Sequence, residues 1–181
     1  LVVDVQNDFC DGSLAIPGGE DVIPVINTLL NCEFPEKILS QDWHPSDHSS
    51  FGEKFPLWPP HCIQKERGSE FHPVLDAIKA TKIVQKGTLR EIESYSAFGN
   101  KGEDTGLLDY LLSKKIKHVV VTGLALDYCV IETALDAKKA GFEVFIVEEA
   151  VAGVQVETIE EAKKRGKEAG IEFVSTCLFV V

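Results

Sequence analysis

Short runs of β-branched and apolar residues alternate along this chain with longer segments that carry apolar residues on one face. The runs have the length of buried strands and span residues 1–5, 37–40, 82–85, 119–121, 144–147 and 171–174. Helical patterns cover residues 22–30, 106–115, 127–140 and 157–169. This alternation predicts an α/β fold: a three-layer sandwich with a central six-stranded parallel sheet and helices on both faces.

One long segment breaks the alternation. Residues 42–73 are rich in Pro, His and Gly and show no clear periodicity. A structureless loop of this length inside a compact domain is usually functional. No repeat, linker or low-complexity tract divides the chain, so we expect residues 1–181 to form a single domain.

The bulk composition excludes several classes of partner. A net charge of −11 argues against nucleic-acid binding, which needs basic patches on the protein. The apolar runs are far shorter than the roughly 20 residues of a membrane-spanning helix, so we expect no membrane partner. The five cysteines form no CxxC pair and favour a reducing compartment, so we expect a cytoplasmic protein. The chain has no Met and begins inside a strand pattern, and we therefore expect residues upstream of Leu1 in the natural protein.

Four chemically reactive residues lie at or just past the ends of predicted strands. They are Asp4, Asp42, Lys86 and Cys129. In an open α/β sheet, ligands bind in the crevice at the carboxyl ends of the strands. We therefore expect one pocket that holds a thiol nucleophile, an acid/base pair and a metal.

The metal half of this pocket begins with Asp42 and His44. Alternate side chains of an extended segment point the same way, so both residues could reach one cation. His61, farther along the loop, could complete the set, and His48 is left open as a fourth ligand. A set of one carboxylate and two or three imidazoles suits zinc, iron or manganese better than calcium. Surface loops often carry histidines, and His72 and His118 are assigned no such role.

The thiol half is centred on Cys129, which the pattern places in the first turn of a helix. A helix N-terminus stabilises a thiolate, so we expect a lowered pKa, and the turn offers N–H groups for an oxyanion. Asp4 could accept the thiol proton, and Lys86 would keep that carboxylate ionised. The alternative is that Cys129 is an inert buried thiol. Cys62 is its closest rival, because it adjoins His61.

Five motifs of the chain resemble those of the nicotinamidase, or pyrazinamidase, branch of the isochorismatase-like cysteine hydrolases. They are DVQNDF at 4–9, DWHP at 42–45, WPPHC at 58–62, KG at 86–87 and GLALDYCV at 123–130. The resemblance covers essentially the whole chain, in order. The Asp-x-His pair together with WPPHC is specific to the nicotinamidase branch, whereas the Asp, Lys and Cys alone would mark only the wider superfamily.

The resemblance implies a role for each candidate residue. It implies a catalytic triad of Asp4, Lys86 and Cys129, metal ligands Asp42, His44 and His61, and a substrate pocket lined by Phe9, Trp58 and Tyr95. It also implies a cis peptide bond before Ala125, with the amides of Ala125 and Cys129 forming the oxyanion hole.

The resemblance also implies an activity. Members hydrolyse nicotinamide to nicotinate and ammonia through a thioester, a reaction of NAD salvage, and pyrazinamide is an expected second substrate. The implied cofactor is a divalent transition metal, with Zn²⁺ favoured over Fe²⁺ or Mn²⁺, and a homo-oligomer is left open.

The chain departs from the family pattern at two places. Leu126 stands where most members have Thr, and the run from 48 to 58 is shorter than in many of them. Two other functions stay open. One is an amidase of the same superfamily acting on a carbamoyl or ureido substrate, and the other is a noncatalytic metal-binding protein. A Cys129 thiol that reacts no faster than free cysteine would favour the noncatalytic alternative.

Overall fold

Six parallel strands form the central sheet of the protein, for which a computed structural model describes residues 1–52 and 58–180. The strands of this sheet are β1 (Val2–Val3), β2 (Ile38–Asp42), β3 (Lys82–Lys86), β6 (His118–Leu124), β7 (Glu143–Ala152) and β8 (Glu172–Val174). A separate antiparallel hairpin consists of β4 (Gly99–Asn100) and β5 (Glu103–Asp104). The strands of the sheet lie in the order β3-β2-β1-β6-β7-β8, with parallel pairing throughout. The predicted six-stranded parallel sheet is confirmed.

Helices cover both faces of this sheet. They are α1 (Asn7–Cys10), α2 (Ile23–Asn31), α3 (Leu107–Ser113), α4 (Ile131–Lys139) and α5 (Val156–Glu168), with short 3₁₀ turns at Arg67–Ser69, Ala77–Lys79 and Thr176–Leu178. Successive strand residues face opposite sides, so Val2 packs with α1 and α2, whereas Val3 packs with α3, α4 and α5. The predicted three-layer arrangement is therefore also confirmed. Among the described residues, no helix combines the length and the apolar character that a membrane crossing requires.

The predicted helix at 127–140 is present, but its first turn is π-helical. Leu126–Val130 forms a wider, π-helical turn in which the Val130 amide donates to the Ala125 carbonyl oxygen at 3.0 Å, and α4 starts at Ile131. Cys129 therefore lies in the first turn of this helical segment, as predicted, and we call residues 126–130 the nucleophile turn. The π-helical form of the turn was not predicted, because periodicity alone does not distinguish a π turn from an α turn.

The long loop after β2 is held against the rest of the protein by backbone pairing. His44 forms an isolated bridge with Ile63, and Gln6 forms another with Phe71. The His44 amide donates to the Cys62 carbonyl oxygen at 3.0 Å, which brings His61 back beside β2. The short run noted between 48 and 58 includes residues 53–57, which lie outside the described part of the chain.

Gly123 allows β1 and β6 to approach closely near the site. Its φ is +110°, and a Cβ atom there would lie 2.0 Å from the Val3 carbonyl oxygen. A side chain is therefore excluded where β6 passes β1. The Leu124–Ala125 peptide bond that follows is cis, as the resemblance implies. Gly123 and the cis peptide bond both lie where β6 ends and the nucleophile turn begins, beside the end of β1.

Burial in the sheet predicts a large effect for Ile146→Ala. Ile146 lies on β7 and is 0% exposed, so the truncation should leave a cavity and lower the free energy of unfolding by about 2–5 kcal/mol. Ile78→Ala is the matched control, because Ile78 is 95% exposed and its truncation should change stability by less than about 0.5 kcal/mol. Urea unfolding measures both variants, and equal losses would contradict the assignment of Ile146 to the core.

Candidate active site

Four neighbouring strands deliver the reactive residues to one edge of the sheet. Lys86 ends β3 and is the register partner of Asp42, which ends β2. Asp4 follows β1, and Cys129 lies in the nucleophile turn after β6. All four side chains are buried. The sequence therefore placed them correctly at the carboxyl ends of adjacent strands.

The Lys86 ammonium group is at the centre of this cluster. Its Nζ lies 2.8 Å from Asp4 Oδ2 and also donates to Asp42 Oδ1. It donates further to the Ser94 carbonyl oxygen at 3.1 Å and contacts Cys129 Sγ at 3.4 Å. Lys86 thus contacts both carboxylates and the thiol within one buried group.

The two carboxylate oxygens of Asp4 have different partners. Its Oδ1 accepts a hydrogen bond from the Ser40 hydroxyl at 2.6 Å. Its Oδ2 forms the ion pair with Lys86 but accepts no hydrogen bond of ordinary geometry from any described residue. One carboxylate oxygen of Asp4 also lies within 4.8 Å of Cys129 Sγ, so Asp4 is close to the thiol proton.

Burial and charge shift the pKa values of this cluster in different directions. Burial raises the pKa of Asp4, and the Asp42 carboxylate adds to that effect, so that the opposing Lys86 ammonium does not cancel it. Burial also acts to raise the pKa of Asp42, but Lys86 and His44 outweigh it and lower that pKa below its usual range. Burial acts to lower the pKa of Lys86, whereas the two carboxylates raise it well above its usual value. Lys86 is therefore a buried cation.

Cys129 differs from the sequence prediction in the state of its thiol. Burial raises the pKa of this thiol well above its usual value, and the neighbouring carboxylates act in the same direction against Lys86. The expected lowering was wrong, because burial disfavours a thiolate more strongly than one ammonium favours it. In this state the Cys129 thiol is protonated.

The turn that contains Cys129 lies at the wall of a cavity beside the reactive side chains. Ala125 and Cys129 both line it. The Ala125 carbonyl oxygen accepts the amides of Tyr128, at 3.1 Å, and Val130, at 3.0 Å.

Asp42, His44 and His61 converge on one point. Asp42 Oδ2 lies 3.5 Å from His44 Nε2 and 3.9 Å from His61 Nε2. Each ring donates from Nδ1 to a backbone carbonyl oxygen, that of Gly87 for His44 at 2.9 Å and that of Pro59 for His61 at 2.8 Å. Both Nε2 atoms therefore face Asp42 and carry the free lone pair in the neutral imidazoles, and His44 Nε2 has no hydrogen-bond partner among the described residues. This arrangement fits a divalent metal ion.

The other histidines are occupied elsewhere. His48 stacks on His44 with ring centroids 4.2 Å apart, but both of its nitrogens are hydrogen-bonded, to the Ser50 hydroxyl at 2.7 Å and to the Ile92 carbonyl oxygen at 3.0 Å. Both ring nitrogens of His48 therefore already have hydrogen-bond partners in this structure. His72 and His118 contact Glu20 and Glu143, away from the site.

Aromatic residues line the cavity that opens onto the thiol and the candidate metal ligands. Phe9, Trp58 and Tyr95 all line it, beside Asp42, His61, Ala125 and Cys129. The Trp58 indole N–H donates to the Tyr95 hydroxyl oxygen at 3.2 Å. Burial raises the pKa of Tyr95 to about 12, so this hydroxyl stays protonated. The cavity thus offers flat apolar surfaces next to the reactive groups.

Sequence reasoning missed three residues of this site. Tyr128 lines the cavity and packs edge-on against Trp58 at 5.1 Å, and its position next to Cys129 could have indicated it. Glu93 also lines the cavity, and nothing in the sequence pattern indicated that it would. Asp127 accepts the amides of Val154 at 3.0 Å and Gln155 at 3.3 Å, and so ties the nucleophile turn to the start of α5.

Comparison with known proteins identifies relatives along the full length. The profile of the isochorismatase domain family matches residues 1–176. A nicotinamidase of Acinetobacter baylyi is 37% identical over 97% of this chain and 91% of its own length. A protein of L. infantum, solved in complex with nicotinate, superposes with a TM-score of 0.94 at 36% identity, covering 97% of this chain and 91% of that one. A pyrazinamidase of Pyrococcus horikoshii in complex with zinc gives a TM-score of 0.88 at 39% identity over 96% of both chains.

These matches extend over both halves of the site and over every strand of the sheet. The chain therefore belongs to the isochorismatase family and, within it, to the group of nicotinamidases and pyrazinamidases.

Proposed function

We propose that this protein hydrolyses nicotinamide to nicotinate and ammonia, a reaction of NAD salvage. One observation carries the proposal: the Cys129 thiol, which contacts the Lys86 ammonium, lines one cavity with aromatic side chains and with the candidate metal ligands Asp42 and His61. The nicotinamidase of Acinetobacter baylyi and the nicotinate-bound relative support the choice of substrate. Pyrazinamide, which is also an aromatic carboxamide with a ring nitrogen, is the proposed second substrate.

The proposed reaction begins with attack of the Cys129 sulfur on the amide carbon. As the S–C bond forms, the thiol proton moves to Asp4 Oδ2, the oxygen that accepts no ordinary hydrogen bond in the free site. The raised pKa of Asp4 makes it a better proton acceptor than an ordinary carboxylate. Lys86 stays protonated and stabilises the negative charge of the cluster.

Backbone amides stabilise the tetrahedral intermediate in this proposal. The developing oxyanion accepts hydrogen bonds from the amides of Ala125 and Cys129, and each such donor is commonly worth about 3 kcal/mol. When the C–N bond breaks, Asp4 returns its proton to the departing nitrogen. The products of this step are ammonia and a thioester on Cys129.

Hydrolysis of the thioester reuses the same groups. Asp4 takes a proton from a water molecule while the oxygen of that water attacks the thioester carbon. The second tetrahedral intermediate then collapses, the C–S bond breaks and the proton returns to Cys129. Nicotinate leaves, and the resting thiol and carboxylate are restored.

Asp42, His44 and His61 would hold the metal cofactor. A bound divalent ion supplies a Lewis-acid position next to the cavity, suited to the ring nitrogen of the substrate. The nitrogen and oxygen ligand set suits zinc, with Fe²⁺ or Mn²⁺ as alternatives, and the zinc complex of the Pyrococcus horikoshii relative supports zinc. Phe9, Trp58 and Tyr95 would bind the two faces of the ring and keep water from it.

The same observations bear on the competing functions. A carbamoyl or ureido substrate gives no reason for an Asp-His-His set beside the thiol, so this set favours an aromatic ring with a nitrogen ligand. A noncatalytic protein gives no reason for a carboxylate and an ammonium group buried together beside a thiol. Both alternatives remain outcomes of the assays below.

Cellular context and assembly form a separate part of the proposal. All five cysteines are free, which supports a reducing compartment such as the cytoplasm. The family match over residues 1–176 supports a single domain. A homo-oligomer stays an open question for a sizing experiment.

The first experiment measures ammonia release from nicotinamide by the purified protein before and after chelation. We expect release to fall with a chelator and to return when zinc or manganese is added back, because the metal ligands and the thiol share one cavity. Release that is unaffected by complete metal removal would contradict a functional metal site. No release from folded, metal-loaded protein would contradict the nicotinamidase activity.

The Cys129→Ala variant tests the nucleophile. Loss of the sulfur should lower kcat by at least about 10³-fold, as removal of a covalent nucleophile does in other enzymes, while the metal content stays unchanged. Cys177→Ala is the control, because Cys177 is exposed and outside the site. Near-normal turnover by Cys129→Ala would remove this residue from the mechanism.

The His61→Ala variant tests the metal ligands. We expect it to lose most of its bound metal and to raise KM for nicotinamide, because one of three converging ligand atoms is removed. His118→Ala is the matched control, because His118 is exposed and pairs with Glu143 away from the site. Elemental analysis gives the metal content, and unchanged content in His61→Ala would exclude His61 from the ligand set.

A further inference from the structure

The carboxylate of Glu103 binds the backbone that follows Lys86. Its Oε2 accepts the Gly87 amide at 2.8 Å, and its Oε1 accepts the Thr88 amide at 2.7 Å and the Thr88 hydroxyl at 2.6 Å. Glu103 lies on β5, so the β4–β5 hairpin is fixed to the end of β3 through this side chain. Three hydrogen bonds to one carboxylate make this a strong attachment.

Gly87 connects this attachment to a candidate metal ligand. While its amide donates to Glu103, its carbonyl oxygen accepts the Nδ1–H of His44 at 2.9 Å. The His44 ring also packs directly on Gly87, where a Cβ atom would lie 2.4 Å from Cε1 of the ring. The Gly87 carbonyl oxygen, in the same peptide group as the Thr88 N–H that Glu103 binds, therefore fits the Nδ1–H tautomer and the present orientation of His44.

We infer that Glu103 is a positioning residue for the metal site, acting through the backbone of Gly87 on the tautomer and orientation of His44. This inference rests on the metal site of the proposed function. Glu103 does not touch the converging ligand atoms, so its effect passes through the hydrogen bonds of Gly87. Partners of this kind typically account for about 10–100-fold in metal affinity.

The backbone segment that Glu103 binds also contributes to the thiol half of the site. Lys86 directly precedes Gly87, and its carbonyl oxygen accepts the Trp43 amide at 2.9 Å. Displacement of residues 86–88 would therefore also move the Lys86 ammonium relative to Asp4. Glu103 thus holds a segment that contributes to both halves of the site.

The Glu103→Gln variant tests this inference by zinc affinity, measured in competition with a chromophoric chelator. The Gln side chain would place an amide N–H group against a backbone N–H group, so the dissociation constant for zinc should rise by about 10–100-fold. Glu149→Gln is the matched control, because Glu149 likewise binds the Thr176 amide and two hydroxyls, and three strands lie between β7 and β3. Its zinc affinity should stay within about twofold of the wild-type value.

A second measurement follows the His44 tautomer without any metal, at a pH high enough to keep the imidazole neutral, because Asp42 raises the pKa of His44 against the effect of burial. Nitrogen-15 NMR of histidine-labelled protein should show His44 as the Nδ1–H tautomer in the wild type and in Glu149→Gln, and as a mixture in Glu103→Gln. If Glu103→Gln does not fold, Glu103→Asp, which keeps the charge but shortens the reach to Gly87, takes its place in both measurements. A zinc affinity and a His44 tautomer equal to those of the wild type would overturn the inference.

Neither measurement requires turnover. A wild-type protein that binds zinc but releases no ammonia would contradict the proposed function and leave the role of Glu103 to be decided by these two measurements. Conversely, an active wild type with an unaltered Glu103→Gln metal site would contradict only the role of Glu103.

Discussion

The buried ammonium group of Lys86 is the interaction on which the rest of the site depends. Removing a cation from water costs several kcal/mol, and the cost is offset only where opposite charges and acceptors surround it. Here Asp4, Asp42 and the Ser94 carbonyl oxygen provide that environment. Because Asp42 contacts Lys86 through Oδ1 and faces His44 through Oδ2, the same residue links the thiol half to the metal half. Loss of either carboxylate would leave a buried charge with less compensation.

The strand order explains how residues so distant in sequence meet at this ammonium. Strands β1, β2 and β3 lie side by side in chain order, and β6 then lies on the opposite side of β1. The order therefore reverses between β1 and β6, the kind of position where open α/β sheets bind ligands. Asp4 follows one of these strands and Cys129 follows the other. Asp42 and Lys86 complete the array on β2 and β3.

The parts that could be predicted from the sequence are those that depend on local pattern. Strand runs and their end residues predicted the sheet and the meeting of Asp4, Asp42, Lys86 and Cys129. The π-helical nucleophile turn could not be predicted, because its periodicity resembles that of an α-helix. Glu103 could not be found either, since its partners Gly87 and Thr88 lie in another element. Contacts of this kind become visible only when the long-range packing is known.

The raised pKa of Cys129 changes which measurement can identify it as a nucleophile. A helix end carries only about half a unit charge, which is too little to offset full burial beside two carboxylates. The resting thiol is therefore protonated, and slow reaction with a general thiol reagent would not argue for an inert residue. In the proposed mechanism its nucleophilicity depends on a bound amide, because proton transfer to Asp4 and attack on the carbon then occur together. Reactivity of Cys129 is thus coupled to occupation of the cavity, and turnover of a bound amide, rather than thiol labelling, distinguishes an enzyme from a noncatalytic relative.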